Sequence, residues 1–174
     1  MTPALKQRLK TLRLSGLASS LPVRLQEAST ARLSHMEFLE LILQDEELVR
    51  QDRQRNRRIK AASFREIRRL DGVDWSFNPK INRKAIYQLA AGGYLEQARD
   101  VLFVGPPGVG KSHLAQALGY EAILQGRTVR YRSIFDVVAD LKEAESLDTD
   151  HRCINGYLKP DLLIIDDMGI KQLP

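Results

Sequence analysis

Asp100–Gln125 reads DVLFVGPPGVGKSHLAQALGYEAILQ, and the fold of the chain turns on how that stretch is built. Val101–Val104 is a short apolar run that predicts a buried strand. It breaks at Gly105 into a loop with two prolines and two further glycines, and an amphipathic helix follows from Lys111. Gly105-Pro106-Pro107-Gly108-Val109-Gly110-Lys111-Ser112 fits the pattern G-x-x-x-x-G-K-[ST] in full. Glycines let backbone N–H groups approach phosphate oxygens with no Cβ in the way. The helix N-terminus brings unpaired donors and a partial positive charge to the same place. Lys111 then supplies a point charge for the β/γ-phosphates, and the Ser112 hydroxyl is a hard oxygen ligand for Mg2+. From average residue frequencies, a chance match in a chain of this length has a probability of roughly one percent or less. A strand before the loop and a helix after it are the context the pattern requires, so the loop reads as a nucleotide site.

A second piece of chemistry lies downstream. Leu162-Leu163-Ile164-Ile165 predicts a buried parallel strand that delivers Asp166 and Asp167 at its C-terminal end, where open α/β sheets place ligands. Asp166 is the candidate to hold Mg2+ through water beside Ser112, and Asp167 the candidate to polarise an attacking water. An apolar strand ending in acids is weak evidence by itself. After a phosphate loop it gains force.

Before and between these motifs the pattern alternates. Asn82–Ala91 and Tyr94–Arg99 read as helices, Thr128–Arg132 as a strand, and Ile134–Glu145 as a helix capped by Ser133. Gly126 is a C-cap residue for the helix of the phosphate loop. Trp75 and Phe77, in the turn-rich stretch Leu70–Pro79, are candidates either for packing under a nucleotide base or for plain core.

Upstream, the chain reads as helical throughout. Thr2-Pro3 starts a helix that Leu14-Ser15-Gly16 ends or bends, and Pro22 marks the start or a break of the next one. Ser34-His35-Met36-Glu37 is a capping box for a third helix, with Phe38, Leu39, Ile42 and Val49 on one apolar face. That helix is expected to continue to about Ala62 through a basic run. Residues 50–69 hold nine Lys or Arg against Asp52 and Glu66 alone. On a helix Arg50, Arg53, Arg57 and Lys60 line one face that could track a phosphate backbone, the alternative being a solvated helix face. The whole chain carries +5, unevenly spread. Residues 1–70 have 15 Lys+Arg and 8 Asp+Glu, the remainder 12 and 14, which points to an anionic partner for the N-terminal part.

Composition excludes other classes. With 174 residues, 43% hydrophobic and 28% charged, the chain suits one domain with an extension or two small domains, with no apolar run of membrane-spanning length. The first residues lack the apolar core of a secretory signal, and Cys153, the single cysteine, permits no intrachain disulfide. A cytoplasmic protein is the expectation. The division expected from the sequence is 1–70, a basic helical DNA- or partner-binding region, and 71–174, a nucleotide-binding domain.

Taken together, LKTLRLSGLASSL (Leu9–Leu21), the arginine-rich helix leading into Ala61-Ala62-Ser63-Phe64, GPPGVGKSHLAQALG (Gly105–Gly119) and DLLIIDDMG (Asp161–Gly169) resemble the IstB-like ATPases, helpers of transposition related to the DnaC helicase loaders in the AAA+ class. The resemblance implies an α/β fold, a P-loop NTPase (AAA+) parallel-sheet core preceded by an all-helical region. It implies ATP and Mg2+ at Gly105–Ser112 with His113 beside them, and Lys111, Asp166 and Asp167 in catalysis. It further implies a homo-oligomer on duplex DNA and a transposase encoded alongside as partner, with a helicase loader or a non-hydrolysing ATP- or DNA-binding remnant as alternatives. AAA+ modules continue past the acidic strand with a sensor-bearing strand and an arginine finger. This sequence ends at Pro174, so the expected core is incomplete at its C-terminus and those two functions fall on no residue here.

Overall fold

The computed structural model describes residues 1–169. Compactness divides the chain into two units, Met1–Asn56 and Arg57 onward. The division falls inside one long helix, and the turn-rich stretch after Leu70 belongs to the second unit.

In the first unit, α1 (Pro3–Thr11) starts on Thr2, whose hydroxyl accepts from the Leu5 N–H. α2 (Ser15–Ala31) runs straight through Pro22 instead of starting or breaking there, forgoing the one N–H that proline lacks. α3 (His35–Ala62) opens with the expected box: the Ser34 N–H donates to Glu37 and the Glu37 N–H donates to the Ser34 hydroxyl. Leu9, Leu21 and Ile42 are buried together, with Leu14, Leu17, Ala18 and Phe38 around them. Leu39, expected on that face, is instead 47% exposed; the inward row runs through Ile42 and Glu46.

Glu46 is a buried carboxylate with a structural task. α2 has no side-chain cap of its own, and the Glu46 carboxylate accepts from the Leu17 N–H at 3.0 Å, supplying one of the partners that the first turn of a helix lacks. Arg50, one turn on, donates to the other oxygen at 2.8 Å. Gly16 is what lets the two helices come this close, since a Cβ there would stand 2.9 Å from the Glu46 Cα. Leu14-Ser15-Gly16 therefore leads into a helix and a close contact, beyond ending the one before it.

The second unit is organised around α6 (Lys111–Leu124). Leu114, Ala117 and Leu118 join Leu70 and Ile86 in one apolar cluster, to which Trp75, Leu89 and Phe103 contribute. Ala122 and Ile123 join Ala62 and Val129 in another, backed by Phe64, Leu162 and Ile164. A helix buried on both sides has no polar face to give, and Tyr120 and Gln116 are buried as well. α4 (Arg83–Ala90), capped by the Asn82 side chain, and α5 (Gly93–Glu96) precede it. Trp75 thus serves the core, under the Arg83 guanidinium at 5.3 Å, while Phe77 is 68% exposed.

β1 (Val129–Ser133) and β2 (Leu162–Asp166) pair in parallel, Tyr131 opposite Ile164 and Ser133 opposite Asp166. The crossover between them carries α7 (Ile134–Ser146) and α8 (Asp150–Leu158). Ser133 and Asp136 form a reciprocal capping box at the start of α7. Gly119 lets α6 lie flat on this sheet, because a Cβ there would meet the Ile164 Cδ1 at 2.7 Å and the Phe64 ring at 2.9 Å.

Two expectations about strands are also corrected. Val101–Val104 is not a buried strand. It has no ladder partner among the described residues, and Leu102 and Val104 are 80% and 84% exposed while Phe103 alone turns inward. Nor is β2 fully buried: its residues are half-buried and Ile165 is exposed. Both follow from one cause. Val101–Phe103 and Leu162–Asp167 both line one groove of about 1220 Å³, and among the described residues neither has a neighbour strand there.

Gly119→Ala should destabilise the chain by about 1–3 kcal/mol, the cost of overpacking, even though alanine is the better helix former; urea unfolding followed by circular dichroism measures it. In the first unit, Arg24 donates to both oxygens of Asp45 at 2.8 Å and holds that carboxyl at about 2, below its ordinary range. A carboxyl lowered on folding stabilises above its unfolded pKa of about 3.9 and loses that contribution as pH falls toward the folded value. Stability of the parent should therefore fall between about pH 4 and pH 2 more steeply than that of Asp45→Asn, measured by thermal unfolding across that range.

Candidate functional site

The phosphate loop is shaped by backbone that only glycine adopts easily. Gly108 and Gly110 have φ of 79° and 97°, and the space where a Cβ would stand is empty at both. Gly110 is the residue before α6, so the first N–H groups of that helix open onto the loop. Lys111 lies across it, its ammonium donating to the Gly105 and Pro106 carbonyls at 2.8 Å each. Asn78 fixes the loop from outside, donating from Nδ2 to the Val109 carbonyl at 3.3 Å.

Ser112 and Asp166, 54 residues apart in sequence, meet directly: the Ser112 hydroxyl donates to Asp166 Oδ1 at 3.0 Å. The other oxygen of Asp166 accepts from the Tyr131 hydroxyl at 2.5 Å, and the Asp167 N–H donates to Oδ1 at 2.8 Å. Burial of Asp166 pushes its pKa up, but the hydrogen bonds from Tyr131, Ser112 and the Asp167 backbone outweigh it and hold the carboxyl below its ordinary value. The same contact, with burial first, pushes the Tyr131 hydroxyl well up, so it stays a donor. Tyr131 carries no motif. The available signal is its place in the middle of a β-prone run, with the alternation of Val129, Tyr131 and Ser133 toward the buried face.

The Asp167 side chain, unlike its N–H, is held apart from this network. Its backbone is left-handed, φ 61°, and its carboxylate is paired with Arg65 at 2.5 Å. The Arg65 guanidinium also lies 6.0 Å from the Tyr131 ring centroid. Arg65 belongs to the segment that leaves α3 at Ser63, and Gln116 of α6 anchors that segment by accepting from the Glu66 N–H at 3.0 Å. Gln116 and Arg65 are the other residues that motif reading does not find. His113 is half-buried on the first turn of α6, its pKa lowered by burial and then by Arg68.

Gly105, Pro107, Gly108, Gly110, Lys111, Ser112, His113, Asp166 and Asp167 thus border the 1220 Å³ groove together. Pro106 and Val109 complete the loop without bordering the groove. The donor chemistry fits Mg2+. Ser112 and Asp166 present hard oxygens side by side, and among the described residues no cluster of three His, Cys, Asp or Glu could hold a metal alone. A magnesium ion would draw its remaining ligands from phosphates and water.

The basic row expected to contact DNA lies along a single helix. Arg50, Arg53, Arg57 and Lys60 are exposed on α3. Arg50 is committed to Glu46, and Arg53 donates to the Ser15 hydroxyl at 2.5 Å. Part of the basic row therefore serves helix packing. No helix among the described residues is long and apolar enough to cross a membrane.

Comparison with known proteins agrees with this geometry. A protein of Mycobacterium tuberculosis named for ATP binding in an insertion sequence is 34% identical over 98% of this chain and 68% of its own length. Counterparts so named in Geobacillus stearothermophilus and Pseudomonas aeruginosa are 32% and 34% identical, over 84% and 95% of this chain. This chain covers 58% and 61% of those two relatives' lengths, so it spans about three-fifths to two-thirds of these three curated relatives. The profile of IstB-like ATP binding proteins matches residues 7–174, and with the phosphate loop, the parallel strand pair and the helical N-terminal region in place, the chain belongs to that family of P-loop NTPases.

Proposed function

We propose that this chain binds ATP with Mg2+ at Gly105–Ser112, contacts duplex DNA through residues 1–70, and serves transposition as the ATP-dependent helper of a transposase encoded alongside it. The observation that carries the reading is the convergence of Lys111, Ser112 and Asp166 at the N-terminus of α6. The names of the insertion-sequence relatives support transposition over the second reading, a replicative helicase loader, which would use the same site. Residues 71–174 form the nucleotide-binding part, and the protein works as a homo-oligomer of the AAA+ type in the cytoplasm.

Each residue has a role in this reading. Lys111 exchanges its two loop carbonyls for β/γ-phosphate oxygens, a charge-assisted contact that the α6 N-terminus reinforces. His113 lies beside the bound phosphates, on the first turn of the same helix. Ser112 and Asp166 would hold Mg2+, which would supply neutralising positive charge at the phosphates. Tyr131 keeps Asp166 aimed and ionised. Asp167 orients the attacking water and takes its proton as oxygen bonds to the γ-phosphorus. The bridging bond to the β-phosphate breaks, leaving ADP and phosphate. Arg53, Arg57 and Lys60 offer charge to the DNA backbone, Arg50 contributing less because of Glu46. Contacts of this kind position a duplex without reading its sequence.

Lys111→Ala should weaken equilibrium binding of fluorescent ATP by at least about tenfold, a loss of roughly 1.4 kcal/mol, while leaving the melting temperature of the unliganded chain nearly unchanged. Unaltered affinity would remove the loop from the site. For DNA, Arg57→Ala with Lys60→Ala should weaken unrelated duplexes alike. It should also flatten the slope of log affinity against log salt by up to about 1.8, at about 0.9 per phosphate contact. A salt titration by fluorescence anisotropy reads this, and an unchanged slope would return the row to a solvated helix face.

A further inference from the structure

The pairing of Arg65 with Asp167 is awkward for a hydrolytic site, because it spends the proposed base on a guanidinium. The two residues are 102 apart in sequence, and every part of the surroundings favours the contact. Ser63 turns the chain out of α3 with φ 58°, and Phe64 packs near Tyr131 with ring centroids 6.2 Å apart. Glu66 is tied by its N–H to Gln116 on α6. Arg65 is thereby delivered between Tyr131, which bonds Asp166, and the Asp167 carboxylate. The pair is also asymmetric. The Asp167 side chain is only 19% exposed, but that of Arg65 is 53% exposed, so one side of the guanidinium remains open to a ligand from outside.

That ligand is identifiable by chemistry. The fork of N–H donors that suits a carboxylate suits a phosphate equally well. Arg65 follows directly on the basic end of α3, five residues past Lys60. A DNA phosphate engaged at that basic end of the helix is a competitor for Arg65.

We propose that Arg65 is a brake on hydrolysis: it holds Asp167 away from the attacking water until a phosphate of bound DNA takes its guanidinium. Occupancy of α3 is then reported at the nucleotide site through the short segment Ser63–Glu66. Arg65 is a positioning residue, acting on ATP only through Asp167. The inference rests on the reading of Asp167 as the base and of α3 as a DNA contact.

The full 174-residue chain provides the test in two measurements. Steady-state ATP turnover without DNA is compared for the parent, Arg65→Ala, Arg65→Lys and the double variant Arg65→Ala with Asp167→Asn. The alanine variant should raise kcat at least about threefold with KM within about twofold, lysine should largely restore the parent rate, and the double variant should fall to the level of Asp167→Asn. Separately, the Arg65 Nε–Hε resonance is assigned by its loss in Arg65→Lys and followed in nitrogen-15 spectra. It should shift in Asp167→Asn, and in the same direction when a duplex of about 20 base pairs is titrated and its binding tracked by anisotropy. A kcat unchanged or lowered in Arg65→Ala overturns the brake. So does a duplex that binds while leaving the resonance in place, although the DNA-contact reading then survives. A duplex that fails to bind overturns that reading and the coupling together, and absence of turnover in every variant overturns the hydrolytic reading and the brake together.

Discussion

Ala117 and Ile123 sit in different apolar clusters on the same helix, and both are essentially closed to solvent. That burial from two sides is the constraint on which the rest of the second unit depends. A helix N-terminus attracts anions through a few unpaired N–H groups and a partial charge, effects that fade within a turn. Such a terminus makes a precise cradle only if the helix body cannot tilt. In this chain the first cluster fixes α6 against the segment around Leu70 and α4, and the second fixes it against the two strands. Ser112 is then carried to Asp166 by the same packing that seats Gly119 on Ile164.

The N-terminal unit solves a related problem with electrostatics. α2 begins at a residue that supplies no side-chain cap, and a buried carboxylate from α3 makes up the deficit. Burial alone would push Glu46 toward its neutral form. The Arg50 hydrogen bond, followed by those from the Leu17 and Gly16 N–H groups, keeps its pKa below the ordinary value. A residue of the basic row thus has a structural reason to be basic. Positive charge along a helix does not divide cleanly into charge for DNA and charge for folding.

What could be read from the sequence was what depends on residues close together in it. The phosphate loop, the box at Ser34, the cap at Ser133 and the acidic end of β2 are all encoded within a few positions. The strand expected at Val101–Val104 failed because a strand is defined by its neighbour, and the apolar run cannot say whether one is there. Tyr131, Gln116, Glu46 and Arg65 were missed for a similar reason. Each acts on a group between 4 and 102 positions away, and the contacts that matter most for the candidate site are the distant ones. Trp75 could be read either way from composition, and packing decided for the core.

The groove between Val101–Phe103 and β2 has a bearing on how the chain behaves as a material. Among the described residues Val101–Val104 has no ladder partner and β2 pairs with β1 alone, so this apolar segment, with Leu102 and Val104 exposed, can pair with another chain as readily as with its own. The blunting that natural edges use, a charge or a proline within the strand, is missing from Val101–Val104 and reaches it only at Asp100 and Pro106. Concentrated preparations of these 174 residues are accordingly exposed to edge-to-edge association. The net charge of +5 opposes that at low salt and is screened at high salt, so solubility and ionic strength should run in opposite directions.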